Sequence, residues 1–251
     1  MKMNEIKVSI VVPVHNAAKC IEDTIQSIRS QTYTNWELIL VDDCSTDCSV
    51  EIMERYVCDN IRIIKLNHGT GAAGARNKGL QAAEGQFLAY IDADDLWSPD
   101  KLERQLQFME EQECAFSYTG YEFADQNGVG VQKIVHVPAK MGYRAALKNT
   151  TIFTSTVMFD LEKISKNLLT MPNVPSEDTA TWWKILKKGY TAYGFDEALT
   201  LYRRSSGTLS SNKLTAIKRI WNLYRNVEKL SVIKSAYCFC FYAVRAVIRR
   251  L

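Results

Sequence analysis

The sequence predicts an α/β protein with a mostly parallel central sheet flanked by helices, and three observations carry that reading. Strand-like apolar runs alternate with helix-period segments as far as Gln112. The first of these runs, Val8–Val14, is continuously β-branched but for Ser9 and Pro13, as in a strand buried on both faces. Three of the runs also end in polar, turn-forming clusters, the arrangement found where open α/β sheets bind their ligands.

After Val14, Asn16 stands where an N-cap belongs, ahead of Ile21, Ile25 and Ile28 at helical spacing. Glu37–Val41 reads as the second strand. A turn through Asp42, Asp43, Ser45, Thr46 and Asp47 then leads to a helix carrying Val50, Met53 and Val57, and residues 61–66 form the third strand. A glycine-rich stretch from His68 to Asn77 precedes a short helix ending near Gly85. Phe87–Ile91 is the fourth strand and runs into Asp92, Ala93, Asp94 and Asp95. Ser98-Pro99-Asp100 reads as an N-cap, a proline at the first helical position and an acid in the first turn, opening a helix to about Gln112.

Beyond Cys114 the regularity weakens, with glycines at 120, 128, 130 and 142, which puts a junction near residue 120. Glu177-Asp178 opens a helix with Trp182, Trp183, Ile185 and Leu186, ending at Gly189, and residues 190–195 and 199–203 look like two short strands. Trp182, Trp183, Tyr190 and Tyr193 are read as core rather than as a ligand platform. From Thr215 onward the pattern is helical and basic.

At 251 residues and 47% hydrophobic, the chain can fill a sizeable core. Its net charge of +3 hides an asymmetry: residues 211–251 hold nine lysines and arginines against one acid, Glu228. Seven cysteines, an odd number without zinc-site spacing, suit a reducing cytosol. The N-terminus lacks a signal-peptide pattern, and the longest apolar candidate, residues 235–244, is stopped by Arg245, far short of the roughly 20 residues that cross a bilayer. The expected location is therefore cytoplasmic. The three histidines are too dispersed for a metal cluster.

The clusters 13–16, 42–47 and 92–95 are expected to converge beyond the carboxyl ends of their strands. In extended backbone, Asp92 and Asp94 would point to one side. Two adjacent carboxylates repel unless a cation or a shared proton intervenes, and a hard divalent ion, Mn²⁺ or Mg²⁺, suits such a pair while keeping positions for phosphate oxygens. The glycine-rich stretch invites a phosphate-cradle reading, although it matches neither the Walker pattern nor a dinucleotide fingerprint. Arg76 is a candidate partner for diphosphate charge.

With these residues in place the chain resembles the family-2 glycosyltransferases, nucleotide-sugar enzymes of the GT-A fold. The resemblance rests on SIVVPVHN (9–16), ELILVDDCSTD (37–47), GARNKG (74–79), DADDLWSPDKL (92–102), Glu177-Asp178, and Tyr202-Arg203 ahead of Leu209-Ser210, in order. It implies an inverting, hexosyltransferase-type transferase (EC 2.4) of the kind that builds bacterial polysaccharide or lipopolysaccharide, acting on a nucleoside-diphosphate sugar, UDP-linked by preference, and a glycan or polyprenyl-linked acceptor. It implies that Pro13, Val14 and Asn16 line the nucleoside pocket, that Asp43 bonds the base, and that Arg76 sits beside the nucleotide. Asp92, with Ala93, belongs to the ribose and metal environment, Asp94 ligates the metal, Asp178 is the catalytic base, and Arg203 lies near the diphosphate. Ser205, where many members carry histidine, and His15, where many carry tyrosine, depart from the pattern. The resulting division is a nucleotide-sugar half (1–120), an acceptor and catalytic half (121–210) and a basic helical extension (211–251).

In the extension, Ile217, Ile220, Trp221, Tyr224, Val227 and Leu230 fall at helical spacing among cations. Two readings stand: a helix packed on the domain, or an amphipathic segment meeting an anionic membrane surface. No aromatic-interleaved motif supports nucleic acid as a partner. Two other classes compete with the transferase: a non-catalytic nucleotide-sugar-binding protein of the same fold, and a sugar-1-phosphate nucleotidyltransferase, which would carry a glycine-rich loop where this chain has Pro13-Val14-His15-Asn16.

Overall fold

The structure is a computed structural model that describes residues 6–203 and 213–248. One ten-stranded sheet organises it, with the main order β3-β2-β1-β4-β9-β6-β10-β5. Strands β1 (Val8–Val14), β2 (Trp36–Asp42), β3 (Ile61–Lys65) and β4 (Phe87–Tyr90) are mutually parallel. The short β9 (Met158–Asp160) runs antiparallel between β4 and β6 (Phe116–Ala124), so β6 and its parallel neighbour β10 (Ala192–Arg203) point the same way as the first four. Two-residue strands β5 (Leu96–Trp97) and β8 (Lys140–Met141) pair antiparallel with β10, and β7 (Gly130–Val135) with β6. Residue 120, the expected junction, lies inside β6, and both halves share this sheet.

Because side chains alternate across a strand, β1 feeds two cores. Ile10 and Val12 pack with Ile21 and Ile25 of α1 (Ile21–Arg29) and Leu102 and Leu106 of α4 (Lys101–Glu111). Val11 faces the opposite core, shared with α3 (Gly71–Ala82) and α7 (Glu177–Lys187). Small residues let α3 lie close on β1: a Cβ on Gly79 would come within 2.3 Å of Val11 Cγ1. The expected core roles of Trp182 and Trp183 hold, as both are almost fully buried.

Several local expectations are corrected. Asn16 is not the cap of α1, which starts after Cys20; it takes a left-handed φ of 52° in the preceding loop, a conformation asparagine tolerates. Ser98 precedes the actual N-cap, Asp100, and its carbonyl accepts the Lys101 N–H. The second helix, α2 (Ser49–Glu54), stops before Val57. Residues 190–203 hold one strand, Ala192–Arg203, rather than two, with register shifts where the expected gap lies. The short α5 (Tyr143–Ala146) and α6 (Lys166–Leu169) fall in the stretch without clear periodicity.

The extension forms two helices, α8 (Lys213–Asn222) and α9 (Val232–Ile248), separated by a π-helical turn at Leu223–Val227. Leu223 and Tyr224 are fully buried, and Tyr224 stacks on Trp183 of α7 with centroids 5.2 Å apart. Glu228 accepts from Tyr143 and pairs with Lys187 of α7 at 2.8 Å. The packed-helix reading is thus observed for one face of this segment. Residues 204–212 and the last three, including Ser205, Leu209, Ser210, Arg249 and Arg250, lie outside the described residues.

Lys101 opens α4 completely buried, its Nζ 3.7 Å from the centre of the Trp97 ring and without a hydrogen-bond partner among the described residues. Burial pulls its amine well below the ordinary value of 10.5. The unfolded chain then binds this proton more readily, so Lys101 lowers stability progressively as pH falls from about 10 toward the depressed folded value. Replacing Lys101→Met should raise unfolding free energy at pH 7 by about 1–3 kcal/mol and flatten its rise between pH 7 and 9. Urea denaturation at both pH values checks this.

Candidate active site

The loops after β1 and β2 are sewn together at the strand ends. Asp43 N–H donates to Val14 O (2.8 Å), Asn16 N–H to Ser45 Oγ (3.0 Å), and Thr46 N–H to Asn16 Oδ1 (2.8 Å). Asp47 and Ser49 accept the N–H groups of Ala18 and Ala17, and Asp43 O bonds His15 Nδ1 at 2.8 Å. Pro13 is half-buried. The Val14 side chain belongs to the core, so of that residue the carbonyl engages this loop.

Asp43 reaches further, onto the start of α3. Its Oδ1 accepts the Thr70 N–H (2.7 Å) and hydroxyl (3.0 Å), and its Oδ2 accepts the Gly71 N–H (2.8 Å). This carboxylate therefore takes the N-terminal amides and the positive end of the helix dipole. The glycine-rich phosphate cradle is corrected accordingly: residues 71–77 are helical, and the Thr70 and Gly71 amides at the start of that helix face Asp43. Among the described residues, one acceptor position on Oδ2 is left for another donor.

At the end of β4 the backbone closes into a turn, with Asp95 N–H donating to Asp92 O at 3.1 Å, so residues 92–95 do not keep the extended geometry expected of them. Asp92 Oδ1 accepts from Arg76 Nη2 at 2.6 Å, while Arg76 Nη1 bonds Glu177 Oε1 at 2.8 Å. Arg76 is 5% exposed. Burial alone would weaken its proton affinity, but Asp92 and Glu177 outweigh that and keep it charged. It ties α3, the β4 turn and the start of α7 together.

The same turn is held from beneath. Ser155 Oγ accepts the Asp92 N–H (3.0 Å) and donates to Asp95 Oδ2 (2.5 Å), whose Oδ1 accepts the Arg203 N–H (3.2 Å). The Ala93 and Asp95 carbonyls lie 2.8 and 2.9 Å from Thr24 Oγ1. Asp95 is fully buried, and burial followed by the charges of Asp94 and Asp92 lifts its carboxyl well above the usual range. Asp94 is half-buried; burial first, then Asp92, raises its carboxyl to about 6, with Arg203 drawing it back.

Asp178, in the first turn of α7, accepts from Thr154 Oγ1 at 3.1 Å. Arg203 ends β10 almost wholly buried; Nη1 meets Asp23 at 3.1 Å, whereas Nε and Nη2 have no partner among the described residues. Glu177 and Asp95 were named within sequence motifs but given no role of their own, and Ser155 and Thr154 were not singled out. The density of acids at 92–95 hints at Asp95, and Glu177 adjoins a predicted site residue, but nothing local marks Ser155 or Thr154.

A cleft of about 580 Å³ lies elsewhere, between α1 and the β5–β10 pair, lined by residues such as Asp23, Gln26, Trp97 and Leu199. None of the predicted site residues lines it. The polar chemistry instead gathers on the open surface at the carboxyl ends of the parallel strands, as expected for a doubly wound sheet.

Fold and site together define a glycosyltransferase of the GT-A type, and the comparisons agree. The sequence profile described as "Glycosyl transferase family 2" matches residues 9–168, and the chain belongs to that family. TuaG of Bacillus subtilis (strain 168), provisionally named a teichuronic acid biosynthesis glycosyltransferase, is 45% identical over 247 residues, 97% of each chain. The Escherichia coli UDP-Glc:alpha-D-GlcNAc-diphosphoundecaprenol beta-1,3-glucosyltransferase WfaP is 35% identical, over 96% of this chain and 94% of its own length. Among solved structures, S. aureus TarS 1-349 in complex with UDP-GlcNAc superposes with TM-score 0.70 at 22% identity, covering 94% of this chain and 70% of that one. The mannosyltransferase PcManGT from Pyrobaculum calidifontis, in complex with GDP-Man and Mn2+, gives 0.69 at 20% identity, covering 89% and 64%. These structural likenesses speak for the fold.

Removing the buried cation leaves two carboxylates facing each other. Arg76→Ala should cost about 3–5 kcal/mol of stability, and adding Asp92→Asn should recover part of that loss. A double-mutant cycle by urea denaturation measures both.

Proposed function

We propose that this family-2 transferase moves a sugar, with inversion, from a nucleoside-diphosphate donor to a hydroxyl of a polyprenyl-diphosphate-linked glycan during cell-surface polysaccharide synthesis. The observation carrying the reading is the convergence of the Asp92–Asp95 turn, Asp178 and Arg203 around the Arg76 bridge. A UDP donor is favoured by the family resemblance, and the lipid-linked acceptor by the relatives named for diphosphoundecaprenol substrates at 35% and 36% identity. Such an acceptor places the enzyme peripherally at the cytoplasmic face of the membrane.

In this reading residues 1–120 bind the nucleotide sugar and 121–210 serve the acceptor and the chemistry. Pro13, the Val14 backbone and Asn16 border the nucleoside, and the remaining acceptor position of Asp43 meets a base N–H. Asp92 and Ala93 support the ribose and phosphate side, with Arg76 acting on the nucleotide through the Asp92 it orients. Asp94 suits a divalent cation, because its carboxylate sits half-buried beside another and is costly to ionise without a positive partner. Such an ion would be held by Asp94 and completed by phosphate oxygens and water. Bound there, Mn²⁺ or Mg²⁺ would neutralise charge on the departing diphosphate.

Arg203 adds fixed positive charge to that side, with two guanidinium nitrogens uncommitted to described residues. Asp178, oriented by Thr154, accepts the proton of the acceptor hydroxyl as its oxygen bonds to the anomeric carbon and the bond to diphosphate breaks.

Asp178→Asn should lower transfer by about 10²–10⁴-fold and leave donor affinity within about twofold, whereas Asp94→Asn should abolish the Mn²⁺-dependent part of donor binding. Nucleoside diphosphate release with and without acceptor, alongside calorimetric donor titration, reads both. Normal turnover by Asp178→Asn would remove the base assignment. Binding without release under any condition would identify a non-catalytic protein, and pyrophosphate production a nucleotidyltransferase.

A further inference from the structure

Helix α9 is apolar on two opposite sides. One side, with Ser235 and Cys238 buried and Phe239 and Tyr242 partly so, packs on the domain. The other presents Ile233 (84% exposed), Tyr237 (52%), Phe241 (41%) and Val244 (59%). Spaced i, i+4, i+8 and i+11, these four fall within roughly 80° of arc at about 100° per residue. A helix needs only one apolar stripe to pack against its own domain. The second stripe has no use for folding, and exposing it in water is unfavourable.

Its surroundings are cationic. Lys148, just after α5, reaches the stripe: its Nζ lies 4.5 Å from the Tyr237 ring centre and 5.0 Å from that of Phe241, and it donates to Tyr237 Oη at 3.2 Å. Exposed Lys234 and Arg245 stand beside the stripe, and Arg245 Nη1 donates to Lys148 O at 3.2 Å. The one acid of residues 211–251, Glu228, is turned inward onto Tyr143 and Lys187. No helix among the described residues is long and apolar enough to cross a membrane.

We infer that the Ile233–Tyr237–Phe241–Val244 face of α9, with Lys148, Lys234 and Arg245, is the surface by which the enzyme lies on an anionic lipid bilayer. The apolar side chains enter the headgroup boundary and the cations meet lipid phosphates, the division of labour of an interfacial helix. Tyr237 suits that depth, with an apolar ring and a polar tip. The one-sided charge selects this occupant: a second copy would bring the same cations against themselves, whereas a surface of anionic headgroups is complementary. The inference deepens the proposed lipid-linked acceptor and takes its biological sense from it, but its test does not depend on turnover.

The full chain is mixed with vesicles of phosphatidylglycerol or of phosphatidylcholine and sedimented, beside the variant Ile233→Ser/Phe241→Ser/Val244→Ser and the variant Lys148→Gln/Lys234→Gln/Arg245→Gln. All substituted apolar residues are exposed, and matching thermal unfolding verifies the fold. The wild type should sediment with phosphatidylglycerol and at least tenfold less with phosphatidylcholine. Each variant should lose at least tenfold in binding, and added salt should weaken the wild type. Nucleoside diphosphate release with a short water-soluble acceptor should be equal in all three proteins, which separates failure of the docking face from failure of the transferase assignment. Equal binding by wild type and variants, equal binding to both lipids, or a wild-type dimer that the serine variant dissociates without any vesicle binding would each overturn the inference.

Discussion

The site depends on one buried cation. Arg76 leaves the middle of α3, lies beneath the strand ends, and holds Asp92 on one side and Glu177 on the other. The sheet brings four acids of the β4 turn and α7, Asp92, Asp94, Glu177 and Asp178, toward one region, with Asp95 buried behind them. Without a fixed positive charge their mutual repulsion would open the turn or force protonation. One guanidinium, with its planar fork of donors, can satisfy two carboxylates on different elements, which the point charge of a lysine does less well. The bridge leaves Asp94 and Asp178 as the carboxylates not tied to it, and these are the two assigned to metal and proton.

A second constraint acts on the opposite side of the nucleotide region. Asp43 occupies the N-terminus of α3, which in many nucleotide-binding folds receives phosphate directly. Here the helix dipole stabilises a protein carboxylate instead, and that carboxylate fixes the loop after β2 against α3. The anionic ligand must then be met by other positive groups. Arg203, buried at the end of β10 with two nitrogens unpartnered among the described residues, is the group proposed to fill that need. Among the described residues the two arginines therefore differ in kind: Arg76 pairs with Asp92 and Glu177, and Arg203 with Asp23 alone.

This contrast explains what was legible in the sequence. Strands β1, β2 and β4 could be read because each is an apolar run buried on both faces and closed by a polar cluster, and the edge strand β3 because its Ile61, Ile63 and Ile64 are β-branched. β6 was hidden because the alternation of Phe116 and Tyr118 with Ser117 and Thr119 changes phase at Gly120, and β5 and β8 are too short to have a period. Asn16 and Ser98 had the chemistry of caps, yet local chemistry does not say where a helix begins: asparagine also suits a left-handed loop position. At the site, residue type and strand-end placement marked Asp43, Arg76, Asp92 and Asp94. Their pairings were not marked, because Glu177 lies 101 residues from Arg76 and Ser155 lies 63 from Asp92. Such pairings exist only after the sheet has formed.

The extension shows how a remote surface can be held in fixed relation to the chemistry. Helix α7 carries Glu177 and Asp178 at its first turn, Trp183 in its middle and Lys187 at its end. Trp183 stacks on Tyr224 and Lys187 pairs with Glu228, both in the link between α8 and α9. The aromatic stack is desolvated and the ion pair largely so on its Glu228 side, so the contact resists sliding more than an exposed patch would. Within the described structure, α9 is thereby fixed to the helix that bears the proposed base. A lipid-facing stripe on α9 would then orient Asp178 relative to the bilayer as well as recruit the enzyme. For an acceptor whose reactive hydroxyl sits on a sugar tethered to that bilayer, fixed orientation removes part of the entropy of bringing hydroxyl and base together.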